Sequence, residues 1–214
     1  MKKLLFVFCL FFTIMIVANA QSSRFGFSAG TSIANYKFKY GDLTINGDSK
    51  VGITAGILVD IPTGSNFIIQ PALNFVQKGT TSEEMGDKLT TSINCLEIPL
   101  NLMYRSPGKS GSFFVGAGPS FAFNMSGKMK YEFNDGTPSE EDEIQFGSDK
   151  DNDDIKSFDM GVNFLAGYEF SNGLFLSAGS NLGLSNLSVY SDEDESIKSN
   201  YVSIKIGFML KGKK

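Results

Sequence analysis

Without its first 20 residues, which read as a targeting signal, the 214-residue chain is left with 194, enough for one domain, with 17 basic against 23 acidic residues and a net charge of −6. That balance, with no run alternating Lys or Arg with aromatics, argues against nucleic-acid binding. Histidine is absent, which removes Ser-His-Asp and Cys-His relays, His-ligated zinc and imidazole acid–base chemistry.

The opening segment has the three parts of a signal peptide. Met1-Lys2-Lys3 is positive, Leu4 to Val17 is almost wholly apolar, and Ala18-Asn19-Ala20 supplies small residues before a cleavage expected ahead of Gln21. The apolar run is too short for a membrane helix, and bulky Phe8 before Cys9 argues against a lipid anchor there. Cleavage leaves Cys95 as the remaining cysteine, so the exported domain is expected to hold no internal disulfide.

Beyond residue 20 the recurring signal is alternation. From Phe158 to Phe170 the even positions are Phe, Met, Val, Phe, Ala, Tyr and Phe, and the odd ones Asp, Gly, Asn, Leu, Gly and Glu: period two, with one apolar face. The same count predicts strands at 24–34, 51–61, 67–78, 91–104, 112–123, 158–170, 174–185 and 201–210. Phe and Gly, 20 and 23 in number, make a fifth of the chain, which suits strands and tight turns better than helices. The predicted connections alternate long (35–50, 79–90, 124–157, 186–200) with short (62–66, 105–111, 171–173), and the long ones carry a summed charge of −10. The segment 124–157 holds ten carboxylates and is expected to be exposed and mobile. Pro71, Pro99 and Pro119 fall inside strands and are each expected at a bulge.

The class depends on which face is buried. A soluble barrel turns its apolar face inward, whereas a membrane barrel shows it to lipid and fills its lumen with small and polar groups. Here the polar face is rich in glycine, including Gly26, Gly30, Gly116, Gly118, Gly161 and Gly167, with isolated charges of both signs: Arg24, Lys78 and Lys205 against Asp60, Glu97, Asp159 and Glu169. A solvated sheet face would carry Lys, Glu and Thr. Small residues suit the interior of a narrow barrel, and the seven charges are expected to pair there as a lumenal network. The reading is an all-β, eight-stranded antiparallel up-and-down transmembrane β-barrel with short periplasmic turns and long acidic extracellular loops. A soluble lipocalin-like ligand-binding barrel is its structural rival, told apart by whether the protein needs detergent.

Three phrases carry a resemblance: Cys95-Leu96-Glu97-Ile98-Pro99-Leu100, Phe114-Val115-Gly116-Ala117-Gly118-Pro119, and Gly161 through Gly167-Tyr168-Glu169. They are similar to the PorT-type outer-membrane β-barrel family of Bacteroidota. The resemblance spans nearly the whole mature chain and implies an eight-stranded, OmpX-like barrel with its termini in the periplasm. The founding member is associated with type IX secretion, a role the likeness does not carry over. The chain continues past Phe208 to Lys214, unlike the many outer-membrane barrels that end on an aromatic residue.

Glu97 is the most suggestive single residue, a carboxylate in an apolar strand. It is either an acid or proton relay, or one half of an ion pair with Lys78, Arg24 or Lys205. Asp149, Asp151, Asp153 and Asp154 have the alternating oxygens of a calcium loop but lack the Gly and Glu an EF-hand needs at positions 154 and 160. They read as a weak calcium site or a solvated acidic loop, as does Asp192 to Glu195. No cofactor is implied. The expected protein is a monomeric, non-enzymatic outer-membrane barrel in contact with lipid. An extracellular protein, a polysaccharide or a divalent cation are the candidate partners of its loops. A small barrel enzyme working with carboxylates and hydroxyls is the alternative from another class.

Overall fold

The alternation closes into a ring. The computed structural model describes residues 23–135, 137–190 and 195–210; the predicted signal peptide, Asp192 to Asp194 and the final lysines lie outside the described residues. Among the described residues ten strands form, β1 (Arg24–Tyr40), β2 (Leu43–Asn46), β3 (Asp48–Pro62), β4 (Phe67–Glu84), β5 (Asp87–Arg105), β6 (Gly111–Glu132), β7 (Glu140–Glu143), β8 (Phe158–Phe170), β9 (Leu174–Gly183) and β10 (Glu195–Met209). Eight of them make the wall in the order β10-β9-β8-β6-β5-β4-β3-β1, and β10 pairs antiparallel with β1 from Gly26–Met209 to Tyr40–Glu195. Closure removes every free edge of the wall. Short β2 and β7 attach to the long-loop ends of β1 and β6.

The faces are inverted relative to a soluble barrel. Phe27, Ile57, Phe113, Phe164 and Ile204 are exposed on the outside, while Ser32, Asn74, Asn101, Asn163 and Asn181 are buried within. Aromatic rings collect on the outer face near the short turns, with Phe67 and Tyr104 5.6 Å apart and Phe113 and Tyr168 4.7 Å apart, as in the interfacial girdles of membrane barrels.

Six of the eight predicted strands stop short of the observed ones at the loop end, and one residue row explains why. On the outer face Phe75, Leu96 and Phe123 stand side by side, and the next row up is Gln77, Asn94 and Ser126, joined by side-chain hydrogen bonds of 3.3 and 3.1 Å. Above that row the polarity of the two faces exchanges. Tyr36 and Ile93 now point inward and are buried, and Lys37, Ser92 and Lys128 point outward. The ladder continues, but the apolar positions move by one residue, which breaks period-two counting at the boundary.

Three expectations are corrected. Pro71, Pro99 and Pro119 do not sit at bulges: register is unchanged across each, and two ladder pairs are missing beside it instead, because proline brings no N–H to the ladder. The register shifts occur between Asn94 and Cys95 and between Ser49 and Thr54. The connection 79–90 is a tight hairpin turning at Met85 and Gly86, with φ of 55° and 94°, the positive pair that fits the twist of adjoining strands. The segment 124–157 is not free chain: β6 runs to Glu132, β7 pairs back on it, and Phe146 and Ile155 form a bridge, as do Ile155 and Ser188.

Candidate functional site

The lumen and its cap are the two places where side chains converge. At the turn end β1 carries Arg24, β3 Asp60, β5 Arg105 and β8 Glu169, all inward by the pleat. Arg24 donates to Glu169 and, at 2.9 Å, to Asp60 Oδ2; Arg105 lies 2.7 Å from the same Asp60 oxygen and 3.1 Å from Glu169 Oε2. Gln70 Nε2 donates to the other Asp60 oxygen at 2.7 Å. Two guanidiniums face two carboxylates, so the cluster is neutral and its acceptors are satisfied.

Midway up the lumen is a second cluster. Lys78 on β4 lies 3.4 Å from Asp159 Oδ2 on β8 and 3.8 Å from Glu97 Oε2 on β5, and all three are essentially without solvent exposure. The Tyr201 hydroxyl on β10 donates to Glu97 Oε1 at 2.6 Å, and its ring stands 5.3 Å from the Lys78 ammonium, within cation–π range. Two carboxylates share one ammonium, and Glu97 Oε2 and Asp159 Oδ1 accept no hydrogen bond.

The single network of seven charges is therefore corrected to two separate clusters, with Lys205 outside both. β10 sets Tyr201 beside Glu97, whereas Lys205 lies four residues nearer the turns, opposite Gly30 and Ser177. It lines a cavity of about 60 Å³ together with Asn101, Asn163, Ser203 and the apolar Phe114 and Phe175, and among the described residues it has no carboxylate within ion-pair range. Arg24 likewise serves Asp60 and Glu169 rather than Glu97. Arg105 and Tyr201 belong to these clusters but were not singled out in the sequence. Arg105 ends a strand where it reads as turn, and a tyrosine in an alternating strand looks like any other aromatic.

Above the second cluster an apolar cap closes the lumen. Tyr36, Ile93, Cys95, Ala122, Ile144 and Leu187 pack together, flanked by Phe38, Met129, Phe146, Ile155 and Ile197. Ile144 and Leu187 come from the two longest connections. The Cys95 thiol, free and buried, approaches Asn124 Oδ1 at 3.1 Å. Outside the cap, three of the four aspartates weighed as a calcium site, Asp149, Asp153 and Asp154, turn oxygens to their own chain. Asp153 Oδ2 accepts from the Asp149 N–H and Asp154 Oδ2 from the Gln145 N–H, each at 2.8 Å, and Asp149 accepts from the Asp151 N–H at 3.1 Å. The Asn152 amide and the Asp151 N–H hold the Asp149 carboxyl below its usual pKa. Among the described residues no cluster of three or more Asp, Glu, Cys or His is placed to hold a metal ion.

A closed ring of eight strands with lipid-type groups outside and ion pairs inside defines an outer-membrane barrel. Residues 19–189 match the model of the outer membrane protein beta-barrel domain, and the chain belongs to that family. Among solved structures it is similar to the outer membrane protein OprG from Pseudomonas aeruginosa, at 11% identity and a TM-score of 0.51, over 90% of this chain and 98% of that one. It is also similar to Ail, the attachment invasion locus protein of Yersinia pestis, at 14% identity and a TM-score of 0.43, over 88% and 99%. Neisserial surface protein A aligns at 11% identity and a TM-score of 0.42, over 86% and 97%. OprG carries the likeness of fold. No curated protein sequence matches.

Proposed function

We propose that the chain is a non-enzymatic integral outer-membrane protein, a sealed barrel that holds an acidic platform at the cell surface. The observation that carries this reading is the filled axis of the barrel. A neutral four-charge cluster, a buried three-charge cluster and an apolar cap follow one another along the lumen. That order argues against a pore, which needs a wetted path. The short turns face the periplasm and the long connections the exterior, as in other bacterial barrels. The exposed carboxylates Glu83, Asp87, Glu140, Asp142, Asp149 and Asp151 then present their charge outward on ordered backbone. The phrases at Leu96 to Leu100 and Gly116 to Pro119 support a PorT-type member within the family. An extracellular protein, a polysaccharide or divalent cations remain the candidate partners, with cationic groups the best electrostatic match for such a platform.

The test is to express the full chain, fractionate the cells and run the membrane fraction on a gel before and after boiling. Mobility that changes on boiling, cleavage of intact cells' protein at the long connections, and vesicles that stay impermeable to small sugars are the expected results. Cleavage at 105–111 in place of the long connections overturns the orientation, and sugar permeation overturns the sealed lumen.

A further inference from the structure

We propose that Lys37, Lys39 and Lys198 form a binding site for the phosphate groups of an outer-leaflet lipid. The inference rests on the outer-membrane reading and its orientation, and it adds a ligand that the acidic loops do not predict.

Lys37 and Lys39 lie on the outward face of β1, and Lys198 on that of β10; the first two are exposed and the third half-buried. Lys37 and Lys198 are direct register partners across the seam that closes the barrel. Such a pair sets two Cβ atoms about 5 Å apart, and like charges directly opposite are destabilising when nothing lies between them. Their other outward neighbours are neutral: Asn46 stands opposite Lys37, with Thr44 and Ser196 on either side of Lys39. Among the described residues none of the three has a carboxylate within ion-pair range, whereas Lys128 and Lys130, on the outward face of β6 at the loop end, lie 3.1 and 2.9 Å from Glu141 and Glu132. Among the described residues these lysines form a concentrated positive patch without a carboxylate partner on an otherwise acidic loop end.

The level of the patch identifies the ligand. Directly below it the outer face is apolar and exposed at Ile33, Val51 and Val202, and the Asn35–Asn200 row lies between. Four residues from Ile33 to Lys37 span about 13 Å of strand, about 9–10 Å along the membrane normal at a 45° tilt. That places the ammonium groups in the headgroup layer once the lysine stems reach down. A soluble polyanion would have to approach past long connections of net charge −10, while a lipid phosphate reaches the patch from the side, beneath them. Acyl chains would then lie on the apolar face below and phosphate would sit between Lys37 and Lys198, relieving their repulsion.

The experiment uses the full mature barrel folded in detergent and titrated with fluorescent, diphosphorylated lipid A. Each lysine near an anionic surface contributes about fivefold. The triple variant K37Q/K39Q/K198Q should bind on the order of a hundredfold more weakly, and K128Q/K130Q should bind as the parent does. Lys198→Gln alone, expected to lose about fivefold, carries the test if the triple variant does not fold. Unchanged affinity in Lys198→Gln and in a folded triple variant overturns the site. Inorganic pyrophosphate that displaces lipid A at its own concentration overturns the lipid as ligand. A chain that neither enters vesicles nor shifts on boiling would instead count against the outer-membrane reading.

Discussion

Below the Gln77–Asn94–Ser126 row the outer face is apolar and the lumen holds the charges beside a buried apolar group of Leu58, Ile68, Met103, Phe114, Phe175 and Met209, whereas above it the core is wholly apolar and lysine and serine turn outward, although the same strands run through both regions. The lower region is the one whose surroundings are lipid. There the hydrophobic effect places no demand on the inward face, so charges occupy it and bind the strands together through ion pairs. The upper region stands in water and behaves as a small soluble barrel, with Tyr36, Ile93 and Leu187 in its core. One hydrogen-bond ladder thus carries two opposite solutions to burial, and the two should fail in different ways.

The largest expected effect falls on the charge cluster under the cap, where Lys78 reaches down from the Ile93 row to Glu97 and Asp159. Lys78→Met leaves Glu97 and Asp159 buried side by side without a cation, and breaking a buried pair in this way costs about 3–5 kcal/mol. The temperature at which the folded gel band disappears should drop clearly. An unchanged temperature would mean that the lumen around Lys78 is wet rather than sealed.

Leu187→Ala probes the upper region. A fully buried leucine cut to alanine costs about 2–5 kcal/mol, but the loss should stay in the cap because the wall below does not depend on it. Faster amide exchange and easier proteolysis across 144–157, at nearly unchanged folded-band temperature, is the expected result. Equal loss in both readouts would show that cap and wall unfold as one unit.

Glu97→Leu is predicted to cost less than Lys78→Met, because Lys78 keeps Asp159 at 3.4 Å. What it strands is the Tyr201 hydroxyl, an unsatisfied buried donor worth about 1–3 kcal/mol. Adding Tyr201→Phe should restore part of the loss. No recovery would assign the cost to packing.

The division between regions also explains how far the sequence could be read. The eight strands and the inverted faces were legible because 158–170 or 201–210 alternates without interruption while lipid surrounds it. Glu97 and Lys78 were legible as lumenal charges for the same reason. The upper wall was not, since above the boundary the apolar positions, such as Tyr36 and Ile93, move to the inward face, and the alternation that period-two counting follows is lost. Nor was the order within 124–157, where ten carboxylates mask Ile144, Phe146 and Ile155, three apolar residues that bury only because Leu187 arrives from another connection. Pairing across a lumen follows register, and the choice between Lys78, Arg24 and Lys205 for Glu97 required it.

The smallest effect concerns the turn outside the cap. The Asp149 carboxyl is held below its ordinary value by the Asn152 amide and the Asp151 N–H, so its ionised form is the one that the turn favours. A carboxyl with a lowered folded-state value contributes its stabilisation in full above the unfolded value, and loses it as the pH falls through the folded one. At neutral pH the contribution is complete, and acidification below the usual carboxylate range should loosen the 149–153 turn first. Exchange of the Asp151 amide should quicken there, while amides of β8 in the lower wall stay protected. Asn at position 149 keeps an acceptor but cannot ionise, so Asp149→Asn should remove the acid dependence at Asp151 and leave the folded-band temperature unchanged. If the dependence survives in Asp149→Asn, the Asp149 carboxyl is not the group that holds the turn.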